Sequence, residues 1–487
     1  MTHNVSRRTF VKDLATLAAG FSILGETGTF NLLTAANPIT DIPASAIDRL
    51  AARLGGRLLR PGYREYEAAR RVWNAAIDKH PKLIARCKRT SDVVRCIEFA
   101  HQHNLSVSIR GGGHHPTGVA ISDDGLVIDL SNMKGIQVDS ATRRVRVQPG
   151  VISRELHMRT QADGLVLPTG TVSTVGVGGL TLGGGEGWLI GKFGLTCDNL
   201  LSADVVMADG RVLHANAHQE RELFWALRGG GGNFGVVTLF EYHAHPLTEV
   251  VAGELVHSLD RAEDAIRMWR DHASTAPDEF SSSIASLVHL PDPVLSIRVC
   301  YVGTDADAAK ALDPLRKFGK PKDTIGRLPI IKLYTMDDLG SESGFNYYAT
   351  SLYFRELSDE AVSRFIEHFR SAPSAECVAW LWHLHGAFSR VPKTGTAFSH
   401  RNANFEFGTL VRWSRPDQGP RHLDWARSYW DVMKPFSTGE VYGNFISETG
   451  EDWTKAAYGG NYDRLSAVKR RYDPTNFFRS NINIPPA

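Results

Sequence analysis

From Thr90 onward, apolar positions come in short bursts whose spacing switches between helical and extended periods. Thr90 or Ser91 can cap a helix that puts Val94, Ile97 and His101 on one face. Asn104 ends that helix, and the apolar run Leu105–Ile109 predicts a strand feeding straight into Arg110-Gly-Gly-Gly-His114-His115. Leu126–Leu130 predicts a second buried strand. Ile136–Asp139 and Arg144–Gln148 alternate apolar and polar around a turn, the pattern of a hairpin. A helix over 153–162 leads to a glycine-dense stretch, Gly176–Gly187. Strands Ala203–Ala208 and Arg211–His214 flank the turn Asp209-Gly210. A helix Glu220–Leu227 precedes a third glycine cluster, Gly229–Gly235, and strand Val236–Tyr242 follows it.

Near residue 250 the texture changes: the glycine clusters stop and longer elements begin. Asp260 with Glu263 resembles a capping box opening a helix through Ala273, and Ser358-Asp359-Glu360 opens another that carries Phe365 and Phe369. Alternating strands such as Val294–Tyr301 and Phe405–Trp413 lie between and after them. This pattern predicts an antiparallel sheet backed by helices, and an α+β fold. The final stretch reads as turn-rich and asparagine-rich.

Composition narrows the picture. A chain of 487 residues, 42% hydrophobic and 22% charged, has the size of two domains and can bury a large core. Lysine plus arginine (55) nearly balances aspartate plus glutamate (53), with no basic run interleaved with aromatics, which argues against nucleic acid as a partner. Five scattered cysteines show neither metal-ligand nor disulfide-framework spacing and read as small buried hydrophobes. His383-Leu-His385 puts two imidazoles on one strand face, but no third ligand has useful spacing, so no metal site is expected. At the N-terminus, Arg7-Arg8 with Phe10 and Lys12, an apolar stretch and then small residues make a targeting segment over about 1–40. It is too short to span a bilayer and resembles a twin-arginine signal, implying export to the periplasm or beyond.

The three glycine clusters carry the chemistry. Gly230–Gly235 matches G-x-G-x-x-G literally, but a helix precedes it and a strand follows, the reverse of a dinucleotide-binding βαβ unit. Gly187–Lys192 is one residue short of a P-loop and lacks its Ser or Thr. Arg110–His115 instead ends a strand, where glycines let backbone approach a diphosphate with two imidazoles just beyond. Three such loops within one region suggest a long, flat ligand, and FAD fits that description.

Several segments together resemble the berberine-bridge-enzyme-like FAD-linked oxidases, of the vanillyl-alcohol-oxidase and para-cresol-methylhydroxylase type. They are Arg110–His114, Thr174–Gly179 with Gly183–Gly185, Lys192–Asn199, Gly232–Gly235, Tyr458–Leu465 and Asp473–Phe477. The resemblance implies a two-subdomain FAD-binding domain over 48–250, completed by 440–487, with a substrate domain inserted at 251–439. It implies FAD bonded covalently to His114. A second bond is not expected, because the cysteine position of doubly bonded relatives falls at Val172 or Ser173. A histidyl substituent would raise the flavin potential and favour hydride removal from substrate. Expected cofactor contacts are Arg110, Gly111, Gly112, Gly113, His114, His115, Gly118, Thr174, Gly178, Gly179, Thr181, Gly183, Val236, Tyr458, Asn481 and Asn483. For the proton acceptor Tyr458 is favoured, with Tyr442 next and Tyr462 and Glu406 behind them; the family's glutamate base aligns nearer Gly408. The implied reaction dehydrogenates a small sugar, alcohol or amine with O2 as acceptor. A dehydrogenase with another acceptor and a non-catalytic flavin- or carbohydrate-binding protein are the alternatives.

Overall fold

The computed structural model describes residues 42–487 except Pro291, and side chains except those of 281–292. The targeting segment therefore lies outside the described residues. The fold is α+β and is organised on three main sheets. The first orders its strands Arg57–Leu59, Leu83–Arg86, Leu126–Asp129, Val107–Arg110. Leu126–Asp129 runs parallel to both neighbours and is buried on both faces, which is why its sequence is a continuous apolar run.

Helix Thr90–Gln102 packs on this sheet, rotated from the expected face. Val93, Ile97 and Ala100 are buried, Val94 is half-buried and His101 is exposed. The cause lies in its first turn, where Asp92 is buried and accepts N–H groups from Gly55 (2.9 Å) and Lys88 (3.0 Å). Neither Thr90 nor Ser91 caps the helix; the N-cap position is Arg89.

The second sheet is antiparallel, with strands Ile136–Asp139, Arg144–Val147, Val236–His243, Leu200–Val206 and Val212–Asn216. The third begins at Glu249 and contains eight antiparallel strands, among them Asn346–Phe354, Cys377–His383 and Phe405–Trp413. One face of it is covered by helices Ala262–Ala273, Asp359–Phe369 and Gly419–Met433. There Trp269, Phe365, Phe369, Phe407 and Tyr429 form the core. Ser358 caps its helix by accepting the Ala361 N–H (3.1 Å). The Asp260–Glu263 capping box does not form, because a 3₁₀ turn Leu259–Arg261 runs into the helix and Glu263 is held by Arg267 and Ser363.

Two further regions depart from the sequence reading. The Gly176–Gly187 stretch winds Val177–Leu182 into a short helix, anchored by buried Val177 and Leu180. The C-terminal region is largely helical, Glu451–Tyr458 and Tyr462–Tyr472, not turn-rich. In the second helix Lys469 and Asp473 are both fully buried, and the ammonium donates to Asp473 (2.7 Å), Asn233 O and Phe478 O. That full set of partners is what makes burial of a charge tolerable. A second buried pair joins the sheets: the Arg401 guanidinium donates to both Asp198 oxygens (2.8 and 2.6 Å). All five cysteines are free and buried.

Candidate active site

The three glycine loops meet around one cavity of about 590 Å³. Strand Val107–Arg110 delivers the first loop. Its Gly113 has φ +67°, a conformation that side-chain-bearing residues rarely adopt. Gly112 lies against Gly176 so closely that a Cβ on either would sit 2.5 or 2.4 Å from the other's backbone nitrogen. Glycine at Gly179 and Gly232 has a different reason. A Cβ there would meet no protein atom, yet both residues line the cavity. The space is kept free for something that is not protein, as a flat, extended cofactor requires.

His114 borders this space. Its ring stacks on Trp73 (4.6 Å between centroids), which stacks in turn on Tyr347 (3.8 Å). Its Nε2 is 3.1 Å from Thr174 Oγ1. Thr174 is itself placed by Ser173, whose N–H and hydroxyl both donate to Asp338 (2.9 and 2.7 Å). Burial lowers the His114 pKa to about 4, so the ring is neutral. His115 differs: Nε2–H donates to Gly443 O (3.0 Å), and Nδ1 accepts from Thr117. Both ring nitrogens are thus occupied within the fold, and burial lowers its pKa to about 4 as well.

The expected cofactor residues divide by position. Gly111, Gly112, Gly113, His114, His115, Gly178, Gly179, Gly183, Val236, Tyr458 and Asn481 line the cavity. Arg110, Gly118, Thr174, Thr181 and Asn483 do not. Arg110 turns its guanidinium onto Ala69 O. Gly118 sits in a turn against Ile77, and Thr174 reaches His114 instead. The Thr181 hydroxyl is buried against Tyr242 (2.7 Å). Asn483 and Tyr462 border a separate hollow. Asn481 donates to Gly232 O (3.1 Å) and Phe478 O (3.0 Å), and its Oδ1 is buried without a partner. That orphan acceptor at the cavity wall fits an N–H or O–H of a bound cofactor.

The tyrosine candidates also separate. Tyr458 donates its hydroxyl proton to Ile482 O (3.0 Å) and accepts from Asn233 (3.1 Å). Tyr442 Oη instead accepts from Gly185 N–H (3.0 Å), Glu186 N–H (3.3 Å) and Asn444 Nδ2 (2.9 Å). Burial raises the pKa of both phenols well above the ordinary value.

Facing the glycine loops is the side of the third sheet opposite its covering helices. Alternation brings Glu406, Gly408, Leu410 and Arg412 to one face of strand Phe405–Trp413, in register with Tyr353, Ser351, Ala349 and Tyr347. Trp380 and Trp382 of the neighbouring strand join them. The rim carries the ion pairs Arg298–Asp337 and Arg412–Glu376. At the other end Tyr353 donates to Glu186 Oε1 (2.6 Å). Sequence reasoning missed Glu186 and Tyr353. Glu186 had one signal, being the only charged residue within Gly176–Gly187. Among the described residues no three His, Cys, Asp or Glu side chains form a metal site. His383 and His385 stack on each other at 4.4 Å. No described helix is long and apolar enough to cross a membrane.

A backbone cradle facing a polar and aromatic sheet wall defines a flavin-dependent oxidoreductase, and comparison with known proteins agrees. Residues 81–216 match the FAD binding domain model, and residues 441–485 match the berberine and berberine-like model. The chain is 32% identical over 445 residues to the FAD-linked oxidoreductase YgaK of Bacillus subtilis, covering 89% of this chain and 98% of that one. It is 32% identical over 460 residues to (R)-6-hydroxynicotine oxidase of Paenarthrobacter nicotinovorans, covering 88% and 97%. A solved glucooligosaccharide oxidase from Acremonium strictum, described with a 6-S-cysteinyl, 8α-N1-histidyl FAD, superposes with TM-score 0.83 at 24% identity, covering 91% and 99%. The chain belongs to the berberine-bridge-enzyme-like, FAD-linked oxidoreductases and is an enzyme.

Proposed function

We propose that this enzyme holds FAD through a single covalent bond to His114 and dehydrogenates a small sugar, alcohol or amine, with O2 as electron acceptor. The observation that carries this reading is His114 itself. It is a neutral imidazole on the cavity wall, stacked on Trp73 and held by Thr174 at Nε2. The histidyl FAD described for the glucooligosaccharide oxidase supports it. No cysteine stands at Val172 or Ser173, where the resemblance puts the second attachment point, and the Ser173 hydroxyl is given to Asp338, which supports one bond and not two.

Bound FAD supplies the hydride-accepting ring. The chain's own residues do the rest. Gly179 and Gly232 leave room for the cofactor, Asn481 offers an acceptor, and the sheet wall with Tyr442 orients substrate beside it. Tyr442 is favoured over Tyr458 as the phenol facing the reaction, because Tyr458 already gives its proton to Ile482. The substrate domain leaves the particular substrate open to sugars and amines alike.

Acid denaturation of the purified protein tests the attachment: yellow fluorescence should stay with the polypeptide and be lost in His114→Ala. Free FAD in the supernatant of the unaltered protein would refute it. Substrate oxidation should consume O2 and yield H2O2; reduction of an artificial dye without O2 uptake would assign a dehydrogenase. We also infer export through the twin-arginine route, from Arg7-Arg8; Arg7→Lys with Arg8→Lys should trap the flavoprotein in the cytoplasm.

A further inference from the structure

Glu186 and Glu406 come from different parts of the fold, the second glycine loop and the third sheet, and Tyr353 brings them together. It pairs across the sheet with Glu406 and donates to Glu186 Oε1 (2.6 Å), and the two carboxyls raise and lower each other's pKa. Glu406 is fully buried with the Trp380 indole beside it, and neither of its oxygens, nor buried Glu186 Oε2, has a partner in good hydrogen-bond geometry. Three orphaned carboxyl oxygens at one spot would be costly if both groups were ionised, since like charges in a low-dielectric site repel and each lacks solvation. A proton between the two groups removes most of that cost.

Building on the oxidase reading, we propose that Glu186 and Glu406 share one proton and that Glu186 is the group that takes the proton of the substrate's hydroxyl or amine. Glu406 is the acid that donates to Glu186 Oε2, while Tyr353 donates to Oε1 (2.6 Å). Glu186 lines the cavity beside Tyr442, and Glu406 stands behind it as a positioning residue. Burial pushes both carboxyls up, and the neighbouring charge of Glu186 pushes Glu406 further. The groups around the pair are Tyr353, Tyr442, Trp380, His400 and Arg401. The last two favour an ionised Glu186 but are themselves matched by Glu440 (3.3 Å) and Asp198 (2.6 Å). The pair thus retains one negative charge facing the cavity.

The chemistry balances. At the substrate carbon the C–H bond breaks and its electron pair leaves as hydride to the flavin. The O–H or N–H bond breaks and its proton forms a new O–H bond on Glu186. A C=O or C=N bond forms in the product. Gly408, between Glu406 and Leu410 on one face of strand Phe405–Trp413, leaves room for Trp380, since a Cβ there would lie 2.1 Å from its ring.

Infrared difference spectra of the holoenzyme in H2O and D2O near neutral pH read the shared proton directly. A carboxylic-acid C=O band should be present and should vanish in Glu406→Gln. Anaerobic flavin reduction should slow about 10²–10⁴-fold in Glu186→Gln. In Glu406→Gln, which keeps volume and donates to Glu186, the pH limb of that rate should move to lower pH. Tyr353→Phe, a milder change, should move the limb upward. A flavin-loaded enzyme lacking the band, or a Glu186→Gln enzyme with an unchanged reduction rate, overturns the proposal. A colourless protein that still shows the band supports the shared proton but overturns its part in oxidation.

Discussion

The cavity has two walls made by opposite means. One is nearly all backbone: Gly111–Gly113, Gly178, Gly179 and Gly232 present main chain with no side chain in the way. The other is nearly all side chain, with Trp380, Trp382, Leu410 and Arg412 projecting from one sheet. The backbone wall suits a ligand whose shape never changes: Gly112 is held against Gly176 by steric necessity, and Gly179 and Gly232 leave open space. The side-chain wall can be rewritten at each second residue without disturbing the strands. On the proposed function this division would separate cofactor binding from substrate choice, and it is open to test.

The largest effect is expected at the seam between the walls. Arg401→Met strips buried Asp198 of its bidentate partner and should cost about 3–5 kcal/mol. Denaturant titration checks this; a loss under 1 kcal/mol would mean the walls stand independently. Next comes the backbone wall. Gly112→Ala drives a Cβ onto the Gly176 main chain and should cost about 1–3 kcal/mol together with flavin loading. Gly179→Ala, with open space around it, should leave folding stability within about 1 kcal/mol while still lowering the flavin-to-protein absorbance ratio.

A third contrast is in pH. His115 and His157, on the backbone side, are held neutral with pKa lowered to about 4 and about 3 by burial. The folded protein therefore binds fewer protons than the unfolded chain, and stability falls as pH drops below the ordinary histidine value of 6.5. The Glu186–Glu406 pair has the opposite sign. Its raised pKa values favour folding below 4.5, and that contribution is lost as pH rises through the folded values. Hydrogen exchange should show acid loosening the glycine loops and alkali loosening the sheet end; loosening of both at the same pH would merge the two walls into one unit. The smallest effect is Tyr458→Phe, which should cost about 1 kcal/mol through the Ile482 bond and leave flavin reduction unchanged.

The same division decided what the sequence could reveal. Glycine leaves a direct mark, so the loops at Arg110–His115, Gly176–Gly187 and Gly229–Gly235 were visible, and so were the hairpins and buried strand around them. The α+β class followed from the change in texture near residue 250. What could not be read was pairing across distance. Glu186 and Glu406 become a pair only once strand register is known, and Gly408 becomes a blocked position only once Trp380 lies over it. Thr181 looked available until Tyr242 proved to hold it. Helix ends were misplaced where long-range contacts took over, as Asp92 did by capturing the Gly55 and Lys88 amides.

The stack of His114 on Trp73 on Tyr347 also sets an order of events in the life of the chain. Trp73 and His114 leave the ribosome early, but Tyr347 belongs to a strand made much later. Contacts between distant segments form slowly, because the chain entropy of closure must be overcome first. The imidazole thus acquires its final orientation only after the substrate sheet has been synthesised and docked. On the proposed attachment, bonding of FAD to His114 would report a completed fold, and a nascent chain arrested before Tyr347 should remain unflavinylated.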